Sequence, residues 1–118
     1  MSIGQSRLQI QSVGDVTVAR FVDKAILNET LIQHIGNELI ALVDAGGCKK
    51  IILDFSNVDF LNSSTLGMLF KMGKKAKDAK SKLRLCCVNS DIYDVFKITS
   101  LNTFLEVKPT LKDALKGI

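Results

Sequence analysis

Asn62, Ser63, Ser64 and Thr65 are four consecutive side chains able to cap a helix, hydrogen-bond or accept a phosphoryl group. They follow the apolar run Ile51-Ile52-Leu53 and a polar turn stretch, and a helical pattern begins at Ser64. That order predicts a strand-to-helix turn, where the free N–H groups of a helix start point outward. A hydroxyl there can cap the helix, a contribution of about 1 kcal/mol. It can equally carry a phosphate that the free N–H groups and the helix dipole tolerate. Four polar side chains are more than one cap requires. Phe60 and Leu61, just upstream, either anchor the turn or offer an apolar contact surface beside a modifiable hydroxyl. From the residue types alone, capping is the preferred reading, and the surplus of polar groups and the apolar pair narrow the gap.

Other constellations carry less. His34 is the single histidine and sits on a predicted helix whose core positions are Ile32 and Ile35, which places it at the flank. No Gly-x-Ser-x-Gly elbow and no P-loop occur, so the residues give little support to an enzyme. Cys48, Cys86 and Cys87 are an odd count without framework spacing, which argues for reduced thiols and a cytoplasmic setting. Cys86 and Cys87 are adjacent on a predicted strand and are expected to point to opposite faces. Scattered cysteines and one histidine do not supply a metal site. Asp54 and Asp59 flank the Ser63 turn; a strand-end hydrogen bond at Asp54 and turn chemistry at Asp59 are the preferred reading over a carboxylate pair.

The elements that must position the turn follow from periodicity. Residues 7–13 alternate, Gly14-Asp15 reads as a hairpin turn and residues 16–22 form a second strand, antiparallel to the first. Asn28 is a helix N-cap, Leu31, Ile32, Ile35, Leu39, Leu42 and Val43 keep helical spacing, and Gly46-Gly47 is the stop. Residues 50–55 are a strand covered on both faces, and residues 57–62 make the turn. Leu66, Leu69, Phe70, Met72, Gly73, Ala76 and Ala79 form the buried face of the next helix, which fades near Lys80-Ser81. Residues 83–88 are a strand. Asn89 or Ser90 caps a helix carrying Ile92, Val95, Phe96 and Ile98. Residues 104–107 are the last strand, and Pro109-Thr110 open a terminal helix with Leu111, Ala114 and Leu115 inward. One α/β domain spanning 1–118 results: a small mixed, mainly parallel β-sheet with an opening hairpin and about four helices packed against it.

Composition agrees with a folded core. Apolar residues make up 47% of 118 residues, aromatics only 6%, and there is one proline. No apolar run nears the roughly 20 residues that span a bilayer, so membrane insertion is not expected, and residues 1–10 are too polar for a signal peptide. The net charge of +4 comes largely from Lys71, Lys74, Lys75, Lys77, Lys80, Lys82 and Arg84. The preferred reading is a solvated helix face; docking of an acidic partner ranks next, and nucleic acid last, because no aromatics interleave for base stacking.

Phe60-Leu61-Asn62-Ser63-Ser64-Thr65-Leu66-Gly67 resembles the signature of the STAS domains of bacterial anti-sigma factor antagonists. The similarity extends over nearly the whole chain. Leu83-Arg84-Leu85-Cys86-Cys87-Val88, followed by Ile92, Val95, Phe96 and Ile98-Thr99-Ser100-Leu101, looks like the family's fourth strand and third helix. The resemblance implies a protein that binds an anti-sigma factor which is also a serine kinase, and so frees a sigma factor. It implies Ser63 as phosphoacceptor, with phosphorylation ending the binding and a PP2C-type phosphatase reversing it. Leu66 and Gly67 match structural positions of the motif. Phe60, Leu61, Asn62, Ser63, Ser64, Thr65 and Asp23 are the implied partner-binding residues; catalytic residues, metals and cofactors are not implied, and weak homodimerisation stays open. Two positions depart from the family pattern. Asn62 stands where many members have Asp, and Asp23-Lys24-Ala25-Ile26 stands for Gly-Glu-Leu-Asp, with Asp23 as a substitute acid shifted along the chain. The alternative reading is a non-phosphorylated STAS adaptor subunit of a transport or signalling assembly.

Overall fold

Ile51, Ile52 and Leu53 are fully buried, and a strand apolar on both faces must be covered on both. The computed structural model describes residues 7–44 and 49–118. The elements run β1 (Leu8–Val13), β2 (Val16–Phe21), β3 (Ala25–Ile26), α1 (Glu29–Asp44), β4 (Lys50–Asp54), β5 (Phe60–Leu61), α2 (Ser63–Asp78), β6 (Lys82–Cys86), α3 (Ser90–Ile98), α4 (Leu101–Phe104), β7 (Glu106–Lys108) and α5 (Leu111–Leu115). The main sheet has the order β1-β2-β4-β6-β7. The β1–β2 hairpin is antiparallel and turns at Gly14 with φ +61°, while the three other pairings are parallel. The expected mixed, mainly parallel sheet is therefore present.

Alternate residues of β4 serve two cores. Ile51 and Leu53 join Ile35 and Leu39 of α1, Leu69 and Met72 of α2 and Phe96 of α3. Ile52 joins Val16, Val18 and Cys86 against Ala114 of α5. Local capping sets the helix starts. Asn28 Oδ1 accepts from the Thr30 and Leu31 amides at 2.8 and 3.1 Å, and Thr110 Oγ1 from that of Asp113 at 3.1 Å. The choice between Asn89 and Ser90 resolves to Asn89, whose Oδ1 accepts from the Ile92 amide at 2.8 Å. No described helix is long and apolar enough to cross a membrane.

Several expectations are corrected. The stretch read as turn contains β5, which pairs in parallel with β3, Ala25 opposite Phe60 and Ile26 opposite Leu61. A fifth helix, the single turn α4, precedes β7; it starts after Ser100, which takes a left-handed conformation at φ 61°. The last strand accordingly begins at Glu106. Phe70 lies on the outer side of α2 rather than in its buried face. Only Leu8 is buried along β1. The Gly46-Gly47 stop and Cys48 lie outside the described residues.

Candidate functional site

The small β3–β5 ribbon is the foundation of the Ser63 turn. Besides the parallel pairing, the Lys24 carbonyl accepts from the amides of Asp59 and Phe60 at 2.8 and 3.1 Å. The segment entering α2 is thereby fixed to the segment entering α1. Asn62 then caps α2. Its Oδ1 accepts from the Thr65 amide at 3.1 Å, and its Nδ2 donates to the Leu27 carbonyl at 2.9 Å. An asparagine meets both demands, since one end faces a donor and the other an acceptor. An aspartate could not donate to Leu27, and this geometry accounts for the departure at Asn62.

The remaining hydroxyls divide sharply. Thr65 is fully buried and its Oγ1 donates to the Ile26 carbonyl at 2.7 Å. Ser64 Oγ donates to Glu29 Oε1 at 2.6 Å. Ser63, the first residue of α2, is exposed, and its hydroxyl has no hydrogen-bond partner among the described residues. Of the four polar residues, three are hydrogen-bonded within the turn and one has an uncommitted hydroxyl. Around it stands an apolar rim. Phe60 is 64% exposed and Leu27 is 49% exposed, whereas Leu61 is half-buried and packs on the core.

Asp23, the expected substitute acid, is held in an ion pair. Its carboxylate is engaged through both oxygens by the Arg7 guanidinium, whose Nε lies 3.1 Å from Oδ2. This hydrogen bond and the Asp23 charge raise the Arg7 pKa further. Glu29 is a carboxylate that reaches the turn, through Ser64. Its sequence signal was an acid in the first turn of α1, which reads as a partner for the helix dipole and says nothing of a contact 35 residues away.

Asp54 is buried at the end of β4. Its Oδ1 accepts from the Ser56 amide at 2.8 Å and its Oδ2 from Arg20 Nε at 3.1 Å, the strand-end arrangement expected. Burial pushes its pKa up, but Ser56 and Arg20 together outweigh this and hold it below the usual aspartate value. Asp59 is exposed in the loop. Cys86 and Cys87 do not point to opposite faces. Cys87 lies past the strand end with φ 63°, and the two sulfurs are 3.5 Å apart as free thiols. They and Asp54 bring three donor atoms within 4.8 Å of one another. A cation fits poorly there. Burial pushes the Cys86 thiol far up, helped by Cys87, and raises Cys87 as well, while the Asp54 oxygens are already taken. His34 is half-buried at the flank of α1, with Nε2 3.7 Å from Glu38.

The STAS domain family model matches residues 8–114. A curated relative, the anti-sigma factor antagonist BtrV of Bordetella bronchiseptica, is 26% identical over 86 residues, 73% of this chain and 71% of that protein. Two solved structures share the fold. An anti-sigma factor antagonist from Mycobacterium paratuberculosis superposes with a TM-score of 0.82 at 20% identity, covering 94% of this chain and 92% of that one. SpoIIAA of Bacillus in its phosphorylated form superposes with a TM-score of 0.71 at 17% identity, covering 92% and 96%. The match runs through both cores and the Ser63 turn, and the chain belongs to the STAS domain family.

Proposed function

We propose that this protein is an anti-sigma factor antagonist whose binding is switched at Ser63. It acts by association rather than catalysis. Its partner is a kinase-type anti-sigma factor that packs over the Ser63 turn and the Leu27–Phe60 rim, which frees a sigma factor. Phosphorylation of Ser63 ends the association and a PP2C-type phosphatase restores it. The reading rests on one observation: Ser63 offers an exposed, uncommitted hydroxyl at a helix N-terminus while its neighbours Asn62, Ser64 and Thr65 are hydrogen-bonded. The names of BtrV and of the structural neighbours support it.

The physics of such a switch needs no refolding. A phosphoserine carries about −2 charge and three acceptor oxygens. At the start of α2 the free N–H groups and the dipole accommodate that charge. A partner seated over the turn would bury an unpaired dianion, at a cost of several kcal/mol. Each 1.4 kcal/mol is about tenfold in affinity, so roughly 4 kcal/mol lowers affinity about a thousandfold.

The test is a phosphopeptide map of the protein isolated from its native cells, with a phosphatase-treated control. Phosphate on Ser63 is expected. Its absence across growth conditions would overturn the switch.

A further inference from the structure

Ser63, Gly67, Phe70, Lys74 and Lys77 recur along α2 at intervals of four and three residues, and all five are exposed. That spacing puts them on one face of the helix, a stripe about 21 Å long at 1.5 Å per residue. The stripe has three zones. At Gly67 the backbone is bare, and an added Cβ would meet nothing within 4 Å. Phe70 follows, 44% exposed yet fixed in place, its ring stacked on Phe104 at 4.5 Å and 9°. Gly73 permits that stack, because a Cβ there would lie 2.6 Å from both Phe104 and Leu105. Beyond Phe70 the surface is cationic, and exposed Lys71, four residues after Gly67 and three before Lys74, flanks the stripe.

Residues 71–82 hold six lysines and one acid, Asp78. Lys75 is paired with Asp44 at 3.2 Å, whereas Lys71, Lys74 and Lys77 have no ion-pair partner among the described residues. Favourable interaction with the helix dipole is confined to the last turn. It accounts for Lys75 and Lys77 but not for Lys71 and Lys74, which stand earlier on α2.

We infer that this stripe is the second half of the docking surface, and that its occupant is an acidic amphipathic helix of the same partner. The inference rests on the proposed function for the partner's class and extends it along α2. The partner helix lies over bare Gly67, sets an apolar side chain against Phe70, and aligns carboxylates with Lys71, Lys74 and Lys77. Helix-on-helix docking uses such i, i+4, i+7 anchors. Aligned opposite charges speed encounter and fix orientation more than they deepen affinity. The Ser63 end then decides whether the complex persists, and the lysine end decides which partner arrives.

Two arms test this. In the first, amide shifts of the ¹⁵N-labelled protein are followed while a synthetic amphipathic helix of leucine and glutamate is added; this arm does not depend on the partner. Shifts confined to α2 from Gly67 to Lys77, lost in about 0.5 M salt, are expected. Shifts scattered over the surface would overturn the inference. In the second, association with the organism's purified recombinant anti-sigma factor is timed for wild type, K71E/K74E, the equally charged control K112E/K116E on α5 and its C-cap, Phe70→Ala and Ser63→Asp. K71E/K74E should slow association about tenfold at low salt and the control by less than threefold, about the scatter of such rates. Phe70→Ala should speed dissociation. Equal rates for K71E/K74E and its control, with Ser63→Asp still abolishing binding, would overturn the stripe and leave the switch standing. Normal binding by Ser63→Asp with slowed K71E/K74E would do the reverse. A wild-type protein that does not bind would overturn both.

Discussion

Replacing Asn62 by alanine removes both anchors of the Ser63 turn at once. The cap on the Thr65 amide goes, a loss of about 1 kcal/mol. The bond to the Leu27 carbonyl goes too; that carbonyl is exposed enough for water to replace the donor, so its loss costs about 0.5 kcal/mol, the low end for a hydrogen bond. The sum of about 1.5 kcal/mol corresponds to a fall in Tm of roughly 6 °C for a domain of this size. Asn62→Asp is the informative companion. Its carboxylate keeps the cap and gains about 0.5 kcal/mol from the helix dipole, but it loses the donor bond, about 0.5 kcal/mol, and sets an acceptor against the Leu27 carbonyl, a further cost of about 0.5 kcal/mol, so a net loss of about 0.5 kcal/mol is expected. Urea denaturation with linear extrapolation measures all three proteins, with slopes expected to be equal. The order wild type, Asp, Ala is the expected result. Alanine within about 0.3 kcal/mol of wild type would show that Asn62 does not hold the turn, since cap losses typically exceed 0.5 kcal/mol.

The two glycines of α2 should answer alanine with opposite signs. Gly67→Ala meets open space and should gain about 0.8–1 kcal/mol of helix propensity while its methyl weakens partner binding; an unchanged urea midpoint would contradict this. Gly73→Ala earns the same propensity but drives a Cβ against Phe104 and Leu105, and overpacking of about 1–3 kcal/mol should leave it less stable than wild type; a stabilised variant would show that the Phe70–Phe104 stack shifts without cost. Asp54 should govern part of the acid limb of stability. Its folded pKa lies below its unfolded one, so its contribution is full above about pH 5 and is lost as pH falls through the ordinary aspartate value near 3.9 and below. Urea midpoints from pH 3 to 7 should fall less steeply on acidification in Asp54→Asn, and parallel curves would refute the assignment.

What was legible in the chain was local. Asn28, Asn89 and Thr110 each act on amides two or three residues ahead, so their types and positions predict their bonds. Buried Ile51-Ile52-Leu53 announced a central strand because both faces were apolar. What was not legible depends on distant pairs. Ala25–Ile26 and Phe60–Leu61 are too short to show alternation, and each is a strand only because the other lies beside it. Ser63 and Ser64 look alike in sequence; Glu29, from another element, makes one committed and leaves the other free. Phe70 sits between the core residues Leu69 and Met72, so spacing assigns it to the buried face, and only the arrival of α4 shows what its ring packs on. Cys87 breaks the strand with a left-handed residue that no glycine signals.

Ser63 carries the central claim, and the direct measurement is affinity for the purified anti-sigma factor before and after stoichiometric phosphorylation at that one residue. The account predicts a loss of at least about a hundredfold, a penalty near 2.7 kcal/mol, with amide spectra unchanged outside the turn. Equal affinity of the two forms, or a loss accompanied by unfolding, would contradict it.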